Sequence, residues 1–399
     1  MEAYLLDWLN LGVRWLHFVA GVAWIGASLY FVMLDLSLAP PQKAADVERG
    51  VHGELWAVHG GGFYVSQKFL TGPRGEPLSE NLHWSKWEAY TTWLSGMGLL
   101  ALIYWFGAEA YLIDRTVMDL PVPAAIAISA GSLVVGWIVY DALCRAVSNE
   151  LALAVLMFVL VAAAAWGYSQ VFGARAAYIH TGALIGTIMV WNVFFHVIPG
   201  QKRMVAAIRA GREPDPRPGI VGKQRSVHNT YFTLPVLFIM ISGHYPMTYG
   251  HPHGWAILAV IMLAGALVRQ YFVLRHVGRN VLALPAVAAA LVLGLAVAIA
   301  PAPPGAPAAA GDAVPFAKVQ PIIAERCAVC HAEKPTYPGF QQPPGGVRLD
   351  SPAHIKAAAA RIHQQTIATQ AMPIGNLTKM TDAERTLLGR WLAAGAKLE

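Results

Sequence analysis

The chain has 399 residues, 56% of them hydrophobic and only 13% charged, about half the ~25% charge of an ordinary soluble domain. That excludes a single soluble globule. The 29 basic and 23 acidic residues give a formal charge of +6, but the basic ones lie in loops between apolar runs, which argues against a nucleic-acid reader.

Runs of about 20 apolar residues, long enough to cross ~30 Å of hydrocarbon as helix, are expected near 9–36, 88–108, 121–143, 150–171, 176–198, 231–250, 254–275 and 280–301. The expected fold is therefore all-α: a polytopic membrane bundle of about eight transmembrane helices (residues 1–301), a Pro/Ala/Gly-rich linker (302–314) and a small soluble domain (315–399). The start, MEAYLLDWLNLGVRW, lacks the positive n-region of a secretory signal, so the first span is expected to be retained. Beyond it, VERGVHGELWAVHGG fits an amphipathic helix, with Val47, Val51, Leu55 and Val58 on one face and His52, Trp56 and His59 on another.

Orientation follows the basic residues. With the N-terminus outside, fifteen fall in inner loops, from Lys43 through Lys202–Arg225 to Arg279, while the outer loops hold Arg115 and Arg175. Both termini then face the periplasm. The segment PAPPGAPAAAGDAVP stays extended at ~3.1 Å per residue, giving on the order of 40 Å of semi-rigid reach.

Cys327, Cys330 and His331 form CxxCH, the attachment sequence of one covalent haem c, in which two thiols bond the porphyrin and the histidine ligates iron, so residues 315–399 are expected to form a small cytochrome c domain resembling class I. PFAKVQPIIAERCAVCH reads as a helix entering the motif. TDAERTLLGRWLAAG reads as a second, with Thr381 and Glu384 placed as a capping box and Leu387, Leu388, Trp391 and Leu392 on one face. Met372, followed by Pro373, is the favoured sixth ligand. Met380, His354 and His363 are its rivals.

Ionisable groups inside a bilayer are costly and mark functional sites. His17, His180 and His244 fall toward the outer leaflet, and His59, His196 and His228 toward the inner one. His17, Gly21, Trp24 and Ser28 share a helix stripe, where a small residue lets a flat macrocycle approach. One or two haem b groups are expected, held between different helices: His17 with His180 or His244, and His59 with His196 or His228. His180 and His196, 16 residues apart, are expected about 160° apart around one axis. The plainer alternative is a histidine hydrogen-bonded across a helix interface. Cys144 reads as a small buried hydrophobe.

The stretches WLHFVAGVAWIGASLYF, HGGGFYVSQKF, LHWSKWEAYTTWLSG and HNTYFTLPVLFIMISGHYP, followed by CxxCH, resemble the membrane-bound urate oxidases (urate hydroxylases) of bacteria. The first also resembles membrane haem-binding proteins of the copper-resistance and protoporphyrinogen-oxidase type, in keeping with His17 as a ligand. The resemblance implies an inner-membrane oxidoreductase taking urate and water to 5-hydroxyisourate without hydrogen peroxide. Electrons would pass through haem to the fused cytochrome and on to a periplasmic cytochrome or terminal oxidase. Partners would be urate and the lipid bilayer, with no nucleic acid and with room for a homo-oligomer.

A urate site needs cationic or amide donors and a base. Inner-surface candidates are Lys68, Lys86, Glu88 and His83, with Gln67, and outer ones are Arg14, His251 and His253. Lys68, Lys86 and Glu88 read equally as interfacial anchors. Arg14, about one turn from His17, is placed to pair with a haem propionate or to snorkel outward. The alternative function is a cytochrome b/c-type quinol dehydrogenase or an electron-transfer subunit of a respiratory complex.

Overall fold

The computed structural model describes residues 2–300, 314–338, 340 and 342–398. The expected linker lies outside them except for Val314. Helix α1 (Glu2–Leu36) leads to α2 (Ala44–Glu48) and to a hairpin of β1 (Gly53–His59) and β2 (Gly62–Lys68). Helix α3 (Trp87–Leu99) continues as a π-helical stretch, Leu100–Trp105, before α4 (Ala108–Tyr111), α5 (Val122–Ala146) and α6 (Glu150–Ser169). Helix α7 (Ala174–Asn192) runs through a second π-helical stretch, Val193–Val197, into α8 (Ile198–Arg209). Helices α9 (Arg217–Ser242), α10 (Pro246–Tyr249), α11 (Gly254–His276) and α12 (Ala283–Ala298) complete the N-terminal body. The C-terminal body holds α13 (Phe316–Ile323), α14 (Pro352–Ala357), α15 (Ala359–Ile362) and α16 (Asp382–Ala393).

Among the described residues five helical segments are long and apolar enough to cross a membrane: Tyr4–Leu36, Val122–Ala146, Glu150–Ser169, Ala174–Arg209 and Gly254–His276. Their outer faces carry exposed Leu5, Trp15, Phe18, Val135, Leu151 and Val155, as a lipid-facing surface requires. The α7 segment is the centre of the bundle, with 61% of its apolar window buried against 17% to 28% in the other four. Around it α5, α6 and α7 share a core containing Leu133, Tyr140, Leu153, Met157, Leu184 and Ile188.

Three expectations are corrected. The expected helix over residues 47–61 is mostly a hairpin, so the all-α body carries a two-stranded sheet. Gly60 and Gly61, at φ +58° and +81°, form the two-residue turn that matches the twist of antiparallel strands, and His59 stands exposed beside it. The span expected at 231–250 instead begins at Arg217 and ends at Ser242. Its early basic residues mask it from hydropathy, and His244 falls in the exposed turn beyond it. Finally, His180 and His196 both reach α5, at Ser129 and Asp141. His196 lies within the π-helical stretch Val193–Val197, so the ideal 3.6-residue register on which the 160° rests does not hold up to it.

Helices α7 and α9 approach closely at Gly182, where an added Cβ would lie 2.5 Å from Ile239 Cγ2. Gly182→Leu is expected to destabilise the bundle by about 1–3 kcal/mol through overpacking. A thermal midpoint of the detergent-solubilised protein equal to that of the wild type would contradict this packing.

Candidate functional site

The C-terminal body places the CxxCH motif where sequence reading expected it. Helix α13 continues as a π-helical turn, Ala324–Ala328, that delivers Cys327 into a core with Val319, Ile323, Met380, Leu388 and Trp391. The ring of Phe316 lies 5.6 Å from that of Trp391, joining α13 to α16. The His331 Nδ1–H donates to Val347 O at 3.0 Å, which fixes the ring and leaves Nε2 for a metal. Burial pushes the Cys327 thiol up to about 12 and raises that of Cys330, so both are neutral thiols at pH 7. Neutral thiols next to an anchored histidine fit covalent haem attachment. Among the described residues no cluster of three metal-ligating side chains offers a zinc site instead.

Met372 is half-buried, and its carbonyl accepts from Arg385 Nη1 at 2.8 Å. Of its rivals, Met380 is buried in the core, His354 is half-buried and bound to Asp350 at 2.8 Å, and His363 is exposed. The segment around Met372 seats on one end of the N-terminal body. Gly250 packs against Thr369 O, and a Cβ on Gly375 would lie 3.0 Å from Ile113 O. A cavity of about 570 Å³ at this junction is lined by Arg175, Tyr178, Tyr249, His251 and Met372 among others.

The histidines of the N-terminal body divide by their bonding. His180 is fully buried with both ring nitrogens satisfied. Trp105 Nε1 donates to Ser129 Oγ (2.9 Å), Ser129 donates to His180 Nε2 (2.7 Å), and His180 Nδ1 donates to Ala176 O (2.8 Å). The Phe172 and Tyr168 rings pack 4.6 and 5.6 Å away. This is a satisfied core histidine and does not fit haem ligation. His17 differs: Nδ1 donates to Thr92 O at 2.9 Å on α3, and its ring packs against Gly96, leaving Nε2 free. His59 and His244 are exposed and join neither layer.

His196 and His228 converge on consecutive residues of α5. His196 Nε2 donates to Asp141 Oδ1 at 2.7 Å, and His228 Nδ1 meets Tyr140 OH at 2.9 Å. Its Nε2 lies 3.9 Å from Glu150 Oε2, beyond hydrogen-bond reach. The Asp141 carboxylate also accepts from Arg225 Nη2 at 2.7 Å and pairs with Arg145 at 2.6 Å. The Arg225 guanidinium lies 5.1 Å above the Tyr140 ring, and Asn192 Nδ2 donates to Tyr140 OH at 2.8 Å. Cys144, buried as expected, has Sγ 3.9 Å from His228 Nδ1. Sequence reading missed Arg225, Asp141, Asn192 and Tyr140. Arg225 counted as a loop cation, and only the true start of α9 places it inside the bundle.

The expected inner-surface candidates are dispersed. Lys68 pairs with Asp35, which also holds Lys223 at 3.3 Å. Lys86 Nζ lies 5.5 Å over the Trp87 ring, and Glu88, in the first turn of α3, accepts from Thr92 through its carbonyl. His83 is exposed, and Gln67 bonds Arg49. Arg14 is exposed and donates to Asn10 Oδ1 at 3.2 Å. At the other end His251 Nδ1 accepts the His253 backbone N–H at 3.0 Å.

A family model described as "Urate oxidase N-terminal" matches residues 3–300. No curated protein and no solved structure matches the chain.

The capping box of α16 is present as expected, with the Thr381 side chain accepting from the Glu384 N–H and Glu384 from the Thr381 N–H. Burial alone raises the Glu384 carboxyl, but the Thr381 N–H and the Arg326 guanidinium outweigh it and hold it below the usual range. Its stabilisation is therefore complete above the ordinary carboxylate pKa of about 4.3 and lost as pH falls through the lowered folded value. Thr381→Ala is expected to cost about 1 kcal/mol. Faster hydrogen exchange at the Trp391 indole N–H, which donates to Lys397 O, is the measurement, and unchanged exchange would contradict the cap's role.

Proposed function

The chain belongs to the urate oxidase N-terminal family, by its match over residues 3–300, and from that premise we propose that it oxidises urate at the membrane and passes the electrons to its own C-terminal cytochrome. Membership supports a urate-oxidising oxidoreductase, and the apolar helices support a membrane setting. The observation that carries the electron-transfer reading is the CxxCH motif, with His331 anchored through Nδ1 to Val347 O and its Nε2 left for iron.

The balanced reaction is urate plus water giving 5-hydroxyisourate, two protons and two electrons. Cys327, Cys330, His331 and Met372 would hold the haem c, which supplies a one-electron acceptor when bound. Thr369, three residues before Met372, lies against Gly250 of the N-terminal body, which supports a short route from those helices to a haem held at Met372. His17, with a free Nε2, is the histidine best prepared for a haem b. The bilayer surrounds about eight spans, both termini face the periplasm, and a periplasmic cytochrome or terminal oxidase takes the electrons onward.

Anaerobic addition of urate to the oxidised full-length protein is expected to reduce the c-type haem promptly. Reduction by quinol but not by urate would overturn the proposal. Cys327→Ala is expected to abolish covalent haem in a pyridine haemochrome assay. His17→Ala is expected to lose b-type absorbance while keeping the covalent haem, and an unchanged spectrum would remove His17 as a ligand.

A further inference from the structure

We infer that the buried cluster around Arg225 is where the urate anion binds, held by the free Nε–H and Nη1–H of the Arg225 guanidinium and by the free side-chain carbonyl of Asn192. This rests on the urate-oxidising reading above and adds the place.

Arg225 is only 2% exposed, yet of its donor nitrogens only Nη2 has a partner, Asp141. Its Nε and Nη1 are buried without one, as are Asn192 Oδ1 and Trp137 Nε1. Buried polar groups in native proteins are nearly always satisfied, and a charged donor left unpaired is among the costliest exceptions. These unpaired groups lie on one network rather than scattered. Asn192 and Arg225 both sit on Tyr140, and Trp137 is one turn before Asp141 with its ring 6.4 Å from that of His196.

The charges point to an anion. Arg225 and Arg145 face the single carboxylate of Asp141, and the nearest other acid, Glu150, is exposed with its carboxylate 3.9 Å from His228. Arg225 is thus the buried cation of the network, and its carboxylate partner Asp141 is already shared with Arg145 and His196, so its two free donors call for further anionic or carbonyl acceptors. The shape of the donors narrows the anion further. The free Nε–H and Nη1–H leave the planar guanidinium from different edges, with Nη2 and Asp141 between them, so they call for acceptors at separate points on a ligand's rim. The Asn192 carbonyl can accept a ring N–H, which a simple carboxylate or phosphate anion does not offer. Urate, a planar monoanion with carbonyl and N–H groups alternating around its rim, answers both. The backbone is also specialised here: the π-helical stretch Val193–Val197 lies between Asn192 and Ile198 and carries His196, and such insertions recur at functional sites.

The cluster lies at the end of α5 and α7 remote from the end where the Met372 segment seats, so urate is expected to approach from the side opposite the cytochrome. The same unpaired guanidinium could instead serve a haem propionate, and the test separates these sources.

Equilibrium dialysis of labelled urate against the full-length holoenzyme, fully reduced and anaerobic so that no turnover occurs, measures binding directly. Arg225→Lys keeps a cation beside Asp141 but loses the separate Nε–H and Nη1–H donors, and is expected to weaken urate binding about 30-fold or more. Asn192→Asp, a near-isosteric change that sets a carboxylate against the anion, is expected to weaken it comparably and serves if Arg225→Lys does not fold. If both variants bind urate as the wild type does, while urate still reduces the wild-type haem c, the site assignment fails and the urate reading stands. Loss of b-type haem from Arg225→Lys in the pyridine haemochrome assay would assign the guanidinium to a propionate and overturn the inference. A wild-type enzyme that neither binds urate nor is reduced by it overturns both.

Discussion

A carboxylate buried in an apolar bundle must be paired, and Asp141 is the point around which the inner half of this bundle is arranged. It is 6% exposed and receives His196, Arg225 and Arg145. Removing one partner of such a buried pair costs about 3–5 kcal/mol, so the three helices that supply α5's Asp141, α7's His196 and α9's Arg225 are held in one relative register. The requirement runs the other way as well. One carboxylate cannot satisfy a guanidinium with five N–H donors, and Nε and Nη1 of Arg225 are left without a partner.

The histidines illustrate how burial alone misleads. His180 is the most deeply buried of them, yet its chain of bonds from Trp105 through Ser129 to Ala176 O is closed, and a closed chain has no free lone pair to offer a metal. His17 is less buried but anchored through one nitrogen only. The difference is set by neighbouring helices: α5 presents a serine to His180, while α3 presents a glycine and a backbone carbonyl to His17. Counting membrane histidines therefore overstates the ligand set, and the distinction that matters is which nitrogen remains unengaged.

The two bodies solve different problems with different means. The C-terminal one is small and relies on local chemistry: a capping box, an Arg326–Glu384 pair at 3.0 Å and a core in which Cys327 and Trp391 share neighbours. The N-terminal one relies on interhelical polar contacts inside an apolar envelope, where the alternative to a protein partner is hydrocarbon. Their meeting point uses glycines, Gly250 and Gly375, because only the absence of a Cβ lets backbone carbonyls of the other body come so near.

What the sequence alone determined were the features whose chemistry is local. The CxxCH motif, the Thr381–Glu384 cap, the apolar face of α16 and the long apolar helices were legible because each is written within one or two turns of chain. Only the tertiary structure could decide that residues 53–68 form a hairpin around Gly60–Gly61, that α9 starts at Arg217, and that Tyr140, Asp141, Asn192, His196, Arg225 and His228 converge. Those six residues come from three helices spread over nearly ninety positions. A hydropathy window reads each charged one as an interruption or a loop. Burial and pairing belong to the packed helices, and no stretch of chain carries them by itself.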